Sequence, residues 1–181
     1  MSRLEYSFLN PERFVIGTVG VPGERQFYLQ VRETTRLLSF PLEKGQAAAL
    51  GERALELLKE VGESINVNEQ DNLPLDTPIE PEFVIGVMSL SWQPQERKIL
   101  FEAQSMGTGS NEGIFDDLVD DDQEDAPPIL RVVLTPDQVA QFARRTAQVV
   151  SAGRQPCIFC GGPINPGGHL CPRSNGHRRS E

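Results

Sequence analysis

The residues of this chain best suited to chemistry lie close together near its C-terminus, in the segment CIFCGGPINPGGHLC. Cys157 and Cys160 form a C-x-x-C pair followed by two glycines, and His169 and Cys171 form an H-x-C pair after eight intervening residues. Thiolates and an imidazole are the ligands that zinc prefers, and four of them complete a tetrahedral shell with no open position for water. The sequence therefore predicts one structural, non-catalytic zinc ion held by these four side chains.

The segment between the two ligand pairs can turn but can hardly form a core. Residues 162–168 comprise three glycines and two prolines. Metal binding would supply the folding energy that apolar burial cannot supply here. His177 is a further histidine that could replace His169 as the fourth ligand.

Two other interpretations of the cysteines stay open. A thioredoxin-like redox pair places C-x-x-C at the start of a helix after a strand, whereas Pro156 and the glycines at 161–162 favour a loop. The cysteines could also be incidental residues of a disordered tail. All three lie between residues 157 and 171 rather than spread through the chain as in a secreted scaffold, which favours a reducing cytoplasm.

The rest of the chain offers little for catalysis. Both histidines and all three cysteines lie in the C-terminal segment, so a nucleophile–histidine pair is excluded from residues 1–153. An enzyme would have to use carboxylates such as Glu33 and Glu102, which could face one cleft between two repeats as acid and base. The alternative is that both are solvent-facing strand residues. We therefore predict a non-catalytic binding or regulatory module.

The charge distribution favours a protein partner over nucleic acid. The net charge of −9 and the pI near 4.8 would repel a phosphate backbone. Positive charge is nevertheless concentrated in the tail, where it could contact nucleic acid or an acidic surface. The nucleic-acid alternative requires a continuous basic face, formed by Arg144, Arg145, Arg154 and the tail residues Arg173, Arg178 and Arg179.

Residues 107–128 form an acidic insertion that is Gly-rich at first and then dense in Asp and Glu. Carboxylates suit calcium or magnesium, but the EF-hand order of ligands is absent. An acidic segment with apolar residues such as Ile114 and Phe115 could instead dock as a short helix on a basic partner. We favour a solvated, self-repelling loop, which is typical of such a run.

Residues 1–153 contain one pattern twice. The tetrapeptide FVIG occurs at residues 14–17 and 83–86, and each copy precedes a β-rich run, a short apolar strand and an amphipathic helix. Residues 37–58 align without gaps to residues 129–150. This predicts a duplicated βββα unit, with copies at about 4–61 and 82–153, followed by a zinc knuckle at 154–181.

The predicted fold is α+β. Strands that follow one another usually pair antiparallel, so we expect one antiparallel sheet with the helices on one face. Residues 62–81 are expected to connect the copies over the surface. In the second helix, Thr135 is the predicted N-cap and Pro136 the first helical residue. Its predicted buried stripe consists of Val139, Phe142, Ala143, Thr146, Val149 and Val150.

The composition is that of a globular protein, with 38% hydrophobic and 24% charged residues. No run of about 18 apolar residues is present, as a membrane-spanning helix would require. The first residues also lack the apolar run and the small-residue cleavage site of a signal peptide. We therefore expect a cytoplasmic protein.

With FVIG near its start, the acidic insertion and the closing CIFCGGPINPGGHLCPRSNGHR, the chain resembles an actinobacterial family known as a domain of unknown function, number 3090. The resemblance spans essentially the full length, and the tail motif is its most specific part. It places the ligands at Cys157, Cys160, His169 and Cys171. It implies a cytoplasmic bacterial protein with no assigned activity, and it adds no mechanism.

Overall fold

A computed structural model describes residues 3–21, 23–66, 70–107, 113–115, 118, 126–153, 157–162, 164, 169–171 and 173. These residues form seven strands and two helices. Within these ranges no helix combines the length and the apolar character needed to cross a membrane. In chain order the elements are β1 (Glu5–Phe8), β2 (Arg13–Val19), β3 (Gln26–Glu33), β4 (Arg36–Leu42), α1 (Lys44–Val61), β5 (Ile85–Gln93), β6 (Lys98–Ser105), β7 (Ile129–Leu134) and α2 (Pro136–Ser151).

The predicted order of three strands and a helix occurs twice, in a first unit (β2–β3–β4–α1) and a second unit (β5–β6–β7–α2). Glu43 and Thr135 are equivalent N-cap residues, each followed by a glutamine at the third helical position. The N-cap N–H donates to the side chain of Gln46 at 2.8 Å in α1 and of Gln138 at 2.9 Å in α2. The element order is therefore confirmed, while the duplication itself stays a prediction.

The single antiparallel sheet that we predicted is wrong. The first unit forms a three-stranded antiparallel sheet, in the order β2-β3-β4, and the second unit belongs to a separate sheet, in the order β1-β7-β6-β5. The additional strand β1 pairs in parallel with β7, with Phe8 opposite Val132.

Each helix packs against one edge strand of the sheet to which the other unit belongs. Helix α2 lies against β2, and α1 lies against β5. On the first edge, Arg145 Nε donates to the carbonyl oxygen of Ile16 at 2.8 Å. On the second edge, Gln46 Nε2 donates to the carbonyl oxygens of Ile85 and Gly86 at 3.1 and 2.8 Å. Side chains thus satisfy backbone groups that a further strand would otherwise pair with.

One hydrophobic core joins both sheets and both helices, so the helices do not simply cover one face of a sheet. The centroid of the Phe14 ring in β2 lies 5.3 Å from that of Phe101 in β6 and 4.7 Å from that of Phe142 in α2. The predicted stripe of α2 faces this core: Val139, Phe142, Ala143 and Thr146 are buried, and Val149 and Val150 are half-buried.

The glycine of each FVIG tetrapeptide lies where a side chain would collide with a neighbouring segment. A Cβ at Gly17 would overlap the side chain of Leu75, which belongs to the segment joining the units. A Cβ at Gly86 would lie 2.9 Å from the Cα of Met106. The repeated glycine therefore serves a close approach in both units, to a side chain in one and to backbone in the other.

We expect Gly86→Ala to lower the free energy of unfolding by about 1–3 kcal/mol, because the backbone at Met106 would have to move. Gly45→Ala is the matched control, since no atom lies within 4 Å of a Cβ placed there in the first turn of α1. That change should alter stability by no more than about 1 kcal/mol. Urea unfolding of both variants measures the difference, and equal midpoints would contradict the steric explanation.

Two buried arginines bind part of the predicted surface linker. This part, residues 71–76, is here called the strap. The Arg13 side chain donates to the Asp71 carboxylate through Nε at 2.6 Å and through Nη2 at 3.1 Å. Arg145 Nη1 donates to the same carboxylate at 3.0 Å. Both arginines also donate to the carbonyl oxygen of Leu73, at 3.0 Å from Arg13 and 2.8 Å from Arg145. The start of the strap is therefore part of the folded body.

The strap is held at its other end by β3. The N–H of Asp76 donates to Gln30 Oε1 at 2.8 Å, and Gln30 Nε2 donates back to the Asp76 carbonyl oxygen at 3.0 Å. Burial raises the pKa of the Asp71 carboxyl, but hydrogen bonds from Arg13 and from the Leu73 N–H, with the charges of both arginines, lower it further. The net shift is downward, so Asp71 is ionised at neutral pH and balances part of the buried positive charge.

Candidate metal centre

The first two cysteines are placed by a tight turn that begins six residues after α2 ends. The Gly161 N–H donates to the Cys157 carbonyl oxygen at 2.8 Å, and the Cys157 N–H donates to the Gly162 carbonyl oxygen at 2.7 Å. Gly161 has a φ of 73°, in the left-handed region that favours glycine. The C-x-x-C-G-G sequence thus forms a closed loop in which the thiols of Cys157 and Cys160 lie close together.

The structure brings all four predicted ligands together, and we call them the Cys3His cluster. Their candidate ligand atoms lie within 4.8 Å of one another. Cys157 Sγ lies 3.8 Å from Cys171 Sγ, and Cys160 Sγ lies 3.3 Å from His169 Nε2. Zn–S bonds of about 2.3 Å in a tetrahedron put two sulfurs about 3.8 Å apart. The spacing therefore fits a zinc ion at the centre.

Backbone groups support the sulfurs. The Phe159 N–H points at Cys157 Sγ, 3.4 Å away. A hydrogen bond from the Gly162 backbone lowers the pKa of the Cys160 thiol, but burial and the neighbouring thiols of Cys171 and Cys157 raise it more, so the net shift is upward. Crowded thiols resist losing protons together, and a bound cation reverses that preference.

The four side chains of the cluster are partly or fully shielded from solvent. Cys157 and Cys171 are buried, and Cys160 and His169 are half-buried. A metal bound by four protein side chains in a tetrahedron has no open coordination site, which is the property of structural rather than catalytic zinc centres. A metal ion held by all four side chains would cross-link the chain between residues 157 and 171.

The apolar side chains beside the ligands point away from the cluster, a feature that the sequence analysis missed. Ile158 and Leu170 are each 89% exposed, and Phe159 is 59% exposed. Arg173 Nη1 donates to the carbonyl oxygen of Phe159 at 3.2 Å, so a cation lies next to them. We call Ile158, Phe159 and Leu170 the knuckle tip. The sequence contains no direct signal for this exposure, because the burial of an apolar residue in a turn depends on what packs around it.

One arginine of the basic face predicted for nucleic-acid binding, Arg145, is not on the surface. Arg145 is only 6% exposed and is engaged with Ile16 and the strap, so its prediction as a surface residue is wrong. Arg145 lies beside the buried apolar stripe of α2, which was the available sequence signal for its burial. Arg144 is exposed. Four other predicted members or ligands lie outside the described residues: Arg154, His177, Arg178 and Arg179.

The two carboxylates considered as an acid–base pair lie in different sheets and have separate partners. Glu33 ends β3, and its Oε1 accepts from the N–H of Asn10 at 2.5 Å. Glu102 lies in the middle of β6 rather than at its end, and it accepts from Arg131 Nε at 2.9 Å and from Ser89 Oγ at 3.3 Å. Glu33 therefore bonds to a backbone N–H, and Glu102 bonds to side chains of the two neighbouring strands.

Most of the acidic insertion, including all of its Asp and Glu residues, lies outside the described residues, so the three interpretations of it stay predictions. One described part touches the folded body. The carbonyl oxygen of Ile114 accepts from the N–H of Met88 in β5 at 3.0 Å, and its side chain packs on the core. Phe115, beside it, is 41% exposed.

Comparison with known proteins identifies a family but no described activity. No curated protein and no solved structure matches the chain. The profile of the family described as "Protein of unknown function (DUF3090)" matches residues 6–171. This range includes both units and the whole Cys3His cluster, and the chain belongs to this family of unknown function.

Proposed function

We propose that this protein is a non-catalytic binding module in which one structural zinc ion shapes a knuckle that docks on a protein partner. The observation that carries the proposal is the division of the knuckle into two kinds of residue. The ligands turn inward, two of them buried, while Ile158 and Leu170 beside them are each 89% exposed. A zinc ion in the Cys3His cluster would fix that division.

Three large apolar side chains are exposed to water on one short segment, and burying them against a partner would be favourable. Burying an Ile, Leu or Phe side chain contributes about 1.5–3 kcal/mol, and that free energy is not gained within the described chain. Exposed apolar groups that are rimmed by polar residues commonly mark protein interaction sites. The knuckle tip has both properties, since the Arg173 side chain bonds to Phe159.

The chemistry of the knuckle suggests the character of its partner. An apolar pocket would receive the knuckle tip, and acidic residues at its rim would complement Arg173 and the other arginines of the tail sequence. Nucleic acid is the weaker candidate, because the chain has a net charge of −9 and Arg145 is buried. We therefore favour a protein surface.

A photo-crosslinking amino acid at position 158 tests the proposal in cells. Position 9 is the control, because Leu9 is also a large exposed apolar residue, 62% exposed, but lies in the body. A protein captured from position 158 and not from position 9 would be purified and its affinity for the whole chain measured by calorimetry. Ile158→Ser and Leu170→Ser should each weaken binding about 30-fold, as expected for apolar anchors.

Metal content separates loss of contact from loss of the knuckle. Because both side chains are exposed, Ile158→Ser and Leu170→Ser should retain the zinc of the wild type and its thermal stability. Leu9→Ser should bind the partner as the wild type does. Unchanged affinity in both tip variants, or a loss seen only with Leu9→Ser, would refute docking through the knuckle.

A further inference from the structure

A cleft of about 520 Å³ lies where the first turn of α1, the start of β3 and the end of α2 meet. Its volume is within the range of small-molecule sites, roughly 300–1,000 Å³. Its lining includes three apolar residues, Phe27, Leu42 and Val150, beside polar and charged ones. Two cations, Arg25 and Lys44, stand on its wall.

Neither cation has a counter-ion within the part of the chain that the structure describes. The one contact given for Arg25 there is with an aromatic ring: its guanidinium carbon lies 5.8 Å from the centroid of Phe27. Lys44 makes no hydrogen bond or ion pair with a described residue. The single carboxylate among the described residues of the wall is that of Glu43, which is the N-cap of α1 and belongs to its capping box. The described wall therefore carries a net positive charge.

The equivalent place in the second unit is built differently. Helix α2 starts with Pro136 and Asp137, and the Asp137 carboxylate there accepts from the N–H of Asn66 at 2.7 Å. Helix α1 has no acidic residue in its first turn and carries Lys44 instead. A cation at this end of a helix is unfavourable, because the helix dipole is positive there. An anion in the cleft would offset that unfavourable charge.

We propose that this cleft binds a small molecule carrying a phosphate or carboxylate group on an apolar body. Arg25 and Lys44 would hold the anionic group, and Val150 with the accessible edge of Phe27 would contact the apolar body. The contact of Arg25 with the Phe27 ring holds the guanidinium near the cleft, so less side-chain freedom is lost on binding. This site is separate from the knuckle tip and independent of the docking function proposed above.

Four simple compounds distinguish the contributions of charge and apolar surface: 1-naphthyl phosphate, 1-naphthoate, uncharged 1-naphthol and inorganic phosphate. We expect at least one of the two naphthyl anions to bind the whole chain about tenfold more tightly than 1-naphthol or inorganic phosphate, because only these anions use both parts of the cleft. The tighter of the two identifies the preferred anionic group. Amide chemical shifts of Gly23 and Gly153, which lie on the wall, should follow the titration.

Arg25→Gln and Lys44→Gln should each weaken binding of the tighter anion about tenfold, as loss of a charge-assisted contact would. Lys98→Gln is the matched control, since Lys98 begins β6 in the other sheet and should leave affinity unchanged. Rising salt should weaken binding to the wild type, a readout that needs no variant. The proposal is overturned by absence of saturable binding of both anions, by affinity that ignores salt and both substitutions, or by shifts confined to the knuckle.

Discussion

Protein purified without added metal will contain one zinc ion per chain, and the double variant Cys157→Ser, Cys160→Ser will contain none. The reason is geometric, because the Cys3His cluster places its ligand atoms within 4.8 Å of one another with a sulfur separation of 3.8 Å. Structural zinc sites of this kind bind with apparent free energies of about 10–16 kcal/mol at neutral pH. Elemental mass spectrometry gives the stoichiometry directly.

The variant should lose the fold of the knuckle and keep the fold of the body. The cluster closes a short segment with few buried apolar residues, whereas the core of the two units is formed by residues 8–143. Amide resonances of residues 157–171 should therefore collapse to random-coil positions, and those of β3 and α1 should stay in place. Unfolding of the body together with zinc loss would show that the knuckle is not an independent addition.

The histidines provide the matched control for the fourth ligand. His169→Ala should lower zinc affinity strongly, by the loss of one of four bonds, while His177→Ala should retain one zinc per chain. The opposite result would assign the fourth position to His177. A wild type that holds no metal and readily forms a Cys157–Cys160 disulfide would contradict the zinc proposal and favour the redox interpretation.

The clustering of the four candidate ligands could be predicted from the sequence because the relevant interactions are local. A C-x-x-C-G-G turn closes through its own backbone hydrogen bonds, and the ligand chemistry of Cys and His is independent of the rest of the fold. The knuckle tip was missed for a different reason. Whether Ile158 is buried or exposed depends on what packs around the turn, and apolar character alone does not decide it.

The same distinction applies to the fold. The start of α2 at Pro136 follows from its N-cap Thr135, and helical periodicity indicates a helix in both units, so the element order was predictable. The division into two sheets was not predictable, because it depends on which segment covers each strand edge in the folded protein. The Arg145 side chain covers one edge and Gln46 the other, and β1 pairs with β7 more than a hundred residues away. Strand alternation contains no signal for these distant pairings.

Arg145→Met will lower the free energy of unfolding by about 3 kcal/mol, the lower end of the range for breaking a buried ionic contact. The Arg145 side chain is 7% exposed and donates to the carbonyl oxygens of Ile16, Asp71 and Leu73. Methionine keeps an unbranched apolar stem but has no donor, so three carbonyl oxygens would lose a partner. Urea unfolding of the zinc-loaded protein at neutral pH measures the loss.

The gap-free alignment of the two units supplies the control, because Arg53 occupies in α1 the position of Arg145 in α2. The Arg53 side chain is 32% exposed and pairs with Glu56 and Glu60 on the helix surface. Arg53→Met should therefore cost no more than about 1 kcal/mol. Equal losses at the two positions would mean that the strap contributes little to folding.

The interaction with the strap can be isolated by combining Arg145→Met with Asp71→Asn. If the two residues stabilise the protein through their mutual contact at 3.0 Å, the double variant should lose less stability than the two single variants together. Arg13 would still donate to the carbonyl oxygens of Leu73 and Pro74, so the strap would be weakened and not released. Strictly additive losses would show instead that Arg145 acts through the carbonyl oxygens of Ile16, Asp71 and Leu73 and not through the Asp71 carboxylate. Aligned positions of the two units thus carry a surface ion pair in one unit and a buried arginine that bonds to the strap in the other.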